Sequence, residues 1–168
     1  MVVYSYIDSA LGQLLVTSQE DKLTGVYFKG RHHARIAPAW TQQDDLELFA
    51  QVEQQIDEYA SGTRKTFDLP ISLSGTPFRT QVWAEIATIP FGQTLTYGEI
   101  AQRVGKPDAV RAVGTATGAN PLSIIIPCHR VVGKCGTQTG YAGGLPRKIA
   151  LLDFEAGKSE SLYSDALE

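Results

Sequence analysis

The sequence predicts an α+β protein of two lobes: a small N-terminal antiparallel sheet with one helix, then a mostly helical C-terminal lobe containing a helix-turn-helix. Three observations predict it. Runs rich in Val, Tyr, Leu and Thr, broken by turn formers, fill residues 2–30 as short strands would. One amphipathic stripe follows them. Beyond Gly75 the apolar spacing becomes helical, and capping residues stand where the helices would begin. The chain has 168 residues, 43% of them hydrophobic, which suffices for one ordinary domain or for two small lobes sharing a surface.

The strands are "VVYSYIDS", "GQLLVTSQ" and "KLTGVYFKG". In "DDLELFAQVEQQIDEYASG" the side chains Leu46, Phe49, Val52, Ile56 and Tyr59 recur at three- and four-residue steps, and Gly62 follows to stop the helix. After "KTFDLPISLSG" the pattern changes, so the lobes are expected to be 1–74 and 75–168. The second opens with Thr76 as cap, Pro77 at the first helical position, and an apolar stripe of Phe78, Val82 and Ile86. In "TYGEIAQRV" Thr96 and Glu99 have capping-box spacing, and Gly105 ends that helix. Pro107 then starts another, "PDAVRAVGTATGAN", which completes the helix-turn-helix. Ala109, Ala112, Gly114, Ala116, Gly118 and Ala119 make this last helix thin, with Arg111 its only large polar side chain. A thin helix suits the minor groove of DNA, about 6 Å wide, better than base readout in the major groove. It suits close packing against another helix equally well.

The net charge of −3 by itself argues weakly against nucleic acid as a partner, but the charge is uneven along the chain. Residues 1–75 hold six Lys and Arg against ten Asp and Glu, whereas residues 76–157 hold eight against five. That distribution fits an anion-binding face on an acidic protein, or chance scatter. "MVVYSYIDSALGQLLVTS" has no basic leader pattern and no stretch apolar enough to span a membrane, so the expectation is a cytoplasmic protein without membrane contact. The two cysteines, Cys128 and Cys135, are expected to be reduced there. With histidines only at 32, 33 and 129, no zinc-ligand spacing occurs, and neither metal nor cofactor is expected.

The run "IIIPCHRVVG" sets three apolar β-branched residues and a proline before a cysteine and two basic side chains. Cys128 reads as an inert buried thiol or as a nucleophile, and a nucleophile needs a base or positive charge to ionise it. His129 is adjacent, but successive side chains of an extended strand point to opposite faces, so contact requires a turn or a bridging water. Glu155, in "LLDFE", is one of the few acids in this lobe that could orient the imidazole.

Asn120-Pro121, "PCHRVV" from Pro127, "GYAGG" from Gly140 and "LLDFE" from Leu151 together resemble the 6-O-alkylguanine-DNA alkyltransferases, the methylated-DNA-protein-cysteine methyltransferases of DNA repair, of bacterial type. The likeness runs from about Gly75 to Glu155 and includes "FGQTLTYGEIA" and "VRAVGTATGANP"; the first lobe fits the family's ribonuclease H-like domain loosely. The resemblance implies a monomer that binds double-stranded DNA through the minor groove, flips 6-O-alkylguanine, with 4-O-alkylthymine as a candidate second substrate, out of the stack, and moves the alkyl group irreversibly to Cys128. It implies that His129 takes the thiol proton through a water, Glu155 steadies the imidazolium, Asn120 holds the turn before the Cys loop, and Tyr97 donates to the departing base. Arg111 would fill the space the base leaves, with Ala109, Ala112 and Gly114 against the groove. Tyr141, Ala142, Val131 and Thr117 would line the alkylguanine pocket, the carbonyls of Cys128 and Val131 reading the guanine amino group. Cys128 would stand ionised beside that pocket. Cys135 has no implied role, and the cysteines for the zinc site of some relatives are absent.

Overall fold

The computed structural model describes residues 1–30, 36–136, 140–141, 143–159 and 162. Strands β1 (Val2–Ser9), β2 (Gly12–Gln19) and β3 (Lys22–Phe28) form an antiparallel meander, and a short β4 (Thr41–Gln42) adds parallel to β1, giving the order β3-β2-β1-β4. The β2–β3 hairpin turns through Glu20 and Asp21, both at positive φ (53° and 62°), the backbone that two-residue hairpins favour and that Asn-Gly would adopt with less strain. Five successive buried residues, Leu14 to Ser18, mark β2 as covered on both faces. α1 (Glu47–Ala60) presents Phe49, Val52, Ile56 and Tyr59 to the core as the spacing predicts, with Leu46 at its N-cap.

The outer edge of β3 is taken up by two loops. Leu23 N–H donates to the Pro70 carbonyl at 2.8 Å, and Ser72 N–H to the Leu23 carbonyl at 2.9 Å. Val26 N–H donates to Pro121 at 2.8 Å, and Ser123 N–H to Val26 at 3.1 Å. The first half thus grips the segment leading to Cys128 by its backbone. α2 (Pro77–Ala87) starts with Thr76 Oγ1 accepting from Arg79 N–H, and Trp83 Nε1 donates to the Ala116 carbonyl at 2.8 Å in the core. β5 (Leu95–Thr96) leads into α3 (Tyr97–Arg103), whose capping box between Thr96 and Glu99 is complete.

α4 (Val110–Gly118) begins later than expected. Pro107 and Asp108 form a turn and Ala109 is the N-cap, without a side-chain oxygen to hold the first turn. β6 (Val131–Val132) pairs in parallel with β5, and α5 (Leu145–Glu155) is the last helix among the described residues. One continuous apolar cluster runs from β1 through α1, α2, α3 and α4 to α5. No helix among the described residues is long and apolar enough to cross a membrane.

Candidate active site

The segment from Asn120 to Val132 folds into a series of tight turns. Asn120, buried, donates from Nδ2 to the Ile126 carbonyl at 2.9 Å and the Leu122 carbonyl at 3.3 Å, while Oδ1 accepts from Leu122 N–H at 3.0 Å. Ile124 sits at φ 74° inside a three-residue turn closed by Ile125 N–H to the Ser123 carbonyl at 2.9 Å. A buried β-branched residue in that region stores strain of about 1–3 kcal/mol. Pro127 (φ −79°, ψ 64°) makes a second such turn of the relaxed hand, with Cys128 N–H on the Ile126 carbonyl at 2.7 Å. Cys128–Arg130 is then a single 3-10 turn. Successive side chains are about 120° apart there rather than opposed, so His129 need not point away from Cys128 as in a strand.

His129 is fully buried, and Nε2 lies 2.8 Å from Glu155 Oε2. Glu155 also accepts from Arg130 (Nε to Oε1 at 2.7 Å, a terminal N–H to Oε2 at 2.9 Å), from the Tyr59 hydroxyl at 2.6 Å and from Gly92 N–H at 3.3 Å. Burial works against ionisation of Glu155, but the bonds and charges of His129 and Arg130 outweigh it and hold the carboxyl well below its usual range. An ionised acceptor requires the proton on Nε2, which leaves Nδ1 as the free base position. Nδ1 is buried and has no hydrogen-bond partner among the described residues. Burial lowers the His129 pKa below the usual imidazole value despite Glu155, with Arg130 and Lys148 pushing the same way.

The expected standing thiolate is corrected here. Cys128 is 1% exposed, and burial pushes its thiol up to about 11, although Asn120, Lys148 and the backbone of Cys128 and His129 all favour the anion. In this DNA-free form the sulfur is a closed-in thiol. Lys148 is the unexpected group beside it. It is fully buried without a carboxylate partner among the described residues, its Nζ donates to the Val131 carbonyl at 2.6 Å and lies 5.9 Å from the Tyr97 ring, and burial lowers it to about 8.

The remaining expected residues divide by face. Tyr97, Arg111 and Gly114 line one groove of about 440 Å³ with Val110, Gly118 and Gly140. Ala112 is exposed on the same helix, and Ala109 half-buried. Thr117 does not line this groove: 3.6-residue periodicity puts it with Val113 and Ala116 on the buried face, and its hydroxyl donates to the Val113 carbonyl at 2.7 Å. The Val131 carbonyl, expected to face a base, carries Lys148, and the Cys128 carbonyl accepts Val131 N–H; each retains one lone pair. Tyr141 packs edge-on to His129 at 6.3 Å and to Phe28 at 6.4 Å. Gly143 allows that packing, since a Cβ there would come within 2.5 Å of the Tyr141 ring and 2.8 Å of Phe28. Ala142 lies outside the described residues. Cys135 is exposed.

Three contributors went unread in the sequence. Arg130 was visible as a basic neighbour but not as the partner of Glu155. Lys148 shares the Leu151, Phe154 and Glu155 face of α5, and a lysine on a buried stripe is a usable signal. Tyr59 is indistinguishable from an ordinary core aromatic of α1.

Two family models match the chain: "6-O-methylguanine DNA methyltransferase, DNA binding domain" over residues 77–157, and the same family's "ribonuclease-like domain" over residues 2–73. A methylated-DNA–protein-cysteine methyltransferase of Mycobacterium tuberculosis H37Rv is 41% identical over 159 residues, covering 95% of each chain. Its namesake in Haemophilus influenzae is 42% identical over 153 residues, 90% of this chain and 85% of its own. Among solved structures, M. tuberculosis OGT in complex with DNA superposes with a TM-score of 0.88 at 39% identity, covering 98% of each chain.

Proposed function

This chain belongs to the 6-O-methylguanine DNA methyltransferase family, and on that premise we propose that Cys128 is the alkyl acceptor, used once, for 6-O-alkylguanine flipped out of duplex DNA. The protein is a methylated-DNA–protein-cysteine S-methyltransferase acting in direct-reversal DNA repair. The observation that carries the assignment of roles is the 2.8 Å bond of His129 Nε2 to an ionised Glu155, with Nδ1 buried on the other side of the ring and without a partner among the described residues. A neutral imidazole fixed in that tautomer can receive a proton at Nδ1, directly or through a water, and the imidazolium formed is then held by Glu155. Because Cys128 rests as a thiol, ionisation belongs to the complex with the lesion.

The sulfur attacks the saturated carbon in line with the guanine oxygen, the carbon–oxygen bond breaks, and its electron pair leaves on the base. Tyr97, at the start of α3, donates to that base, and Lys148 beside the Tyr97 ring adds positive charge where thiolate and departing guanine both need it. A thioether has no cleavage route here, so each molecule reacts once. α4 enters the minor groove with Gly114, Ala109 and Ala112, and Arg111 occupies the gap left in the stack. Tyr141 and its glycine neighbours Gly140, Gly143 and Gly144 form the wall of the base pocket. The working unit is a monomer in the cytoplasm, with residues 1–74 as a supporting lobe and 75–168 as the lobe of transfer and DNA binding.

The test is a single incubation with duplex DNA carrying 6-O-methylguanine, followed by digestion and mass spectrometry. The added methyl is expected on the Cys128 peptide at no more than one per chain. Cys128→Ser should bind the duplex without accepting the methyl, and Arg111→Ala should transfer slowly while retaining most affinity for undamaged duplex. A methyl on another residue, or none, overturns the reading.

A further inference from the structure

Glu155 is where the two halves of the chain meet chemically. Its Oε2 accepts three donors: the Tyr59 hydroxyl at 2.6 Å, His129 Nε2 at 2.8 Å and Arg130 at 2.9 Å. Tyr59 belongs to α1, and among the described residues it is the one from residues 1–74 that bonds to the carboxylate. Its ring is fully buried and fixed edge-on against Phe154 at 5.5 Å and Phe91 at 6.0 Å, so the hydroxyl cannot swing away from Oε2. Burial, reinforced by the Glu155 charge, holds the phenol well above its usual range, which makes it a donor at every working pH.

A carboxylate steadies an imidazolium in proportion to the negative charge its other donors leave unsatisfied. We propose that Tyr59 is a positioning residue for the transfer reaction: by sharing Oε2 with His129 and Arg130 it limits how firmly Glu155 holds an imidazolium, and so keeps His129 neutral with Nδ1 open to a proton. This rests on the role of His129 proposed above. It also gives the first lobe a chemical part in the reaction rather than only a scaffolding one. The other charged or titratable groups facing the pair are Arg130 and Cys128 on the loop, Lys148 on α5 and Tyr141 of the glycine segment. Of these, Arg130 alone also bonds to Oε2.

The imidazole titration of the intact, DNA-free protein, followed by NMR with His32 and His33 in the same spectrum, tests this apart from activity. Tyr59→Phe removes the donor and keeps the ring, so the His129 titration should move up by about half a unit, a threefold change in the protonation equilibrium. The acid limb of methyl transfer against pH should move up with it. Placing 3-fluorotyrosine at 59 strengthens the donor and should move both the other way, and it decides the matter alone should Tyr59→Phe fail to fold. A lowered melting temperature with an unmoved His129 titration, or shifts of one sign in both proteins, overturns the proposal. A titration that moves in opposite directions while no protein accepts a methyl supports the sharing at Oε2 and sinks the repair reading instead.

Discussion

Burial sets the resting reactivity of Cys128, and a short pulse of iodoacetamide measures it. Raising a thiol from 9.0 to about 11 removes two powers of ten from its thiolate population near neutral pH. The more basic thiolate is intrinsically the better nucleophile, and with a Brønsted coefficient of about 0.4–0.5 this returns roughly tenfold. A net slowing of about tenfold remains before access is considered, and at 1% exposure access slows the reaction further. Cys135, exposed in the same chain, is the internal control. DNA-free protein pulsed at a series of pH values and digested should show the Cys128 peptide lagging the Cys135 peptide by at least about tenfold near neutrality, then gaining close to tenfold per pH unit toward pH about 10. Matched labelling of the two cysteines near neutrality, or a Cys128 rate that levels off below pH about 9, would show a standing thiolate and refute the account of the resting site.

Glu155→Gln leaves the Arg130 guanidinium buried without its counter-charge and should cost about 3–5 kcal/mol in urea unfolding. The wild-type pH profile follows from the same groups: His129 and Glu155 both titrate lower in the folded state than in the unfolded one. Their stabilisation is therefore present above the ordinary imidazole and carboxyl ranges and is lost as pH falls, so a melting temperature flat from neutral pH down to about 4 would contradict the network. Lys148, lowered from 10.5 to about 8, costs stability at neutral pH; stability should rise from pH about 8 to about 9, where the raised Cys128 thiol begins to oppose it, and Lys148→Met should gain on the order of 2–3 kcal/mol at neutral pH and abolish that rise. Methylated Cys128 should melt below the free protein by the equivalent of about 1–3 kcal/mol, because the added carbon presses on a closed site beside the Asn120–Ile126 bond. Equal melting temperatures for the two forms would show that the site absorbs the methyl without strain.

Local pattern carried the elements and failed on what long-range packing decides. Runs rich in Val, Tyr, Leu and Thr between turn formers located β1 to β3, and caps located α2 and α3, since the chemistry at an element's end is written in adjacent residues. The start of α4 was misplaced because Pro107 fits both a first helical turn and the tight turn it occupies. β4 was unreadable: two residues pairing with β1 across thirty-eight positions of sequence have no periodicity of their own. At the site, Cys128, His129, Glu155 and Asn120 were nameable from the resemblance. The state of the sulfur was not, because a pKa depends on burial and neighbours that only the assembled core supplies.

That last failure bears on how the reaction must run. A thiol near 11, a neutral imidazole and a buried ammonium near 8 lie close together in the core, and each has been moved by burial toward its uncharged form. In the proposed reaction no thiolate–imidazolium pair stands before the guanine enters; that pair is created when the proton leaves sulfur and the base departs. Fixed dipoles and Glu155 are already oriented for those charges, so little reorganisation is needed when they appear. The strained Ile124 and the Asn120 clamp hold the loop in that arrangement, and a cavity of about 420 Å³ lined in part by Ile124, Ile125, Ile126 and Pro127 lies against it. On the single-use reaction proposed above, the site need not be restored, so strain can be placed beside Cys128 rather than kept away from it.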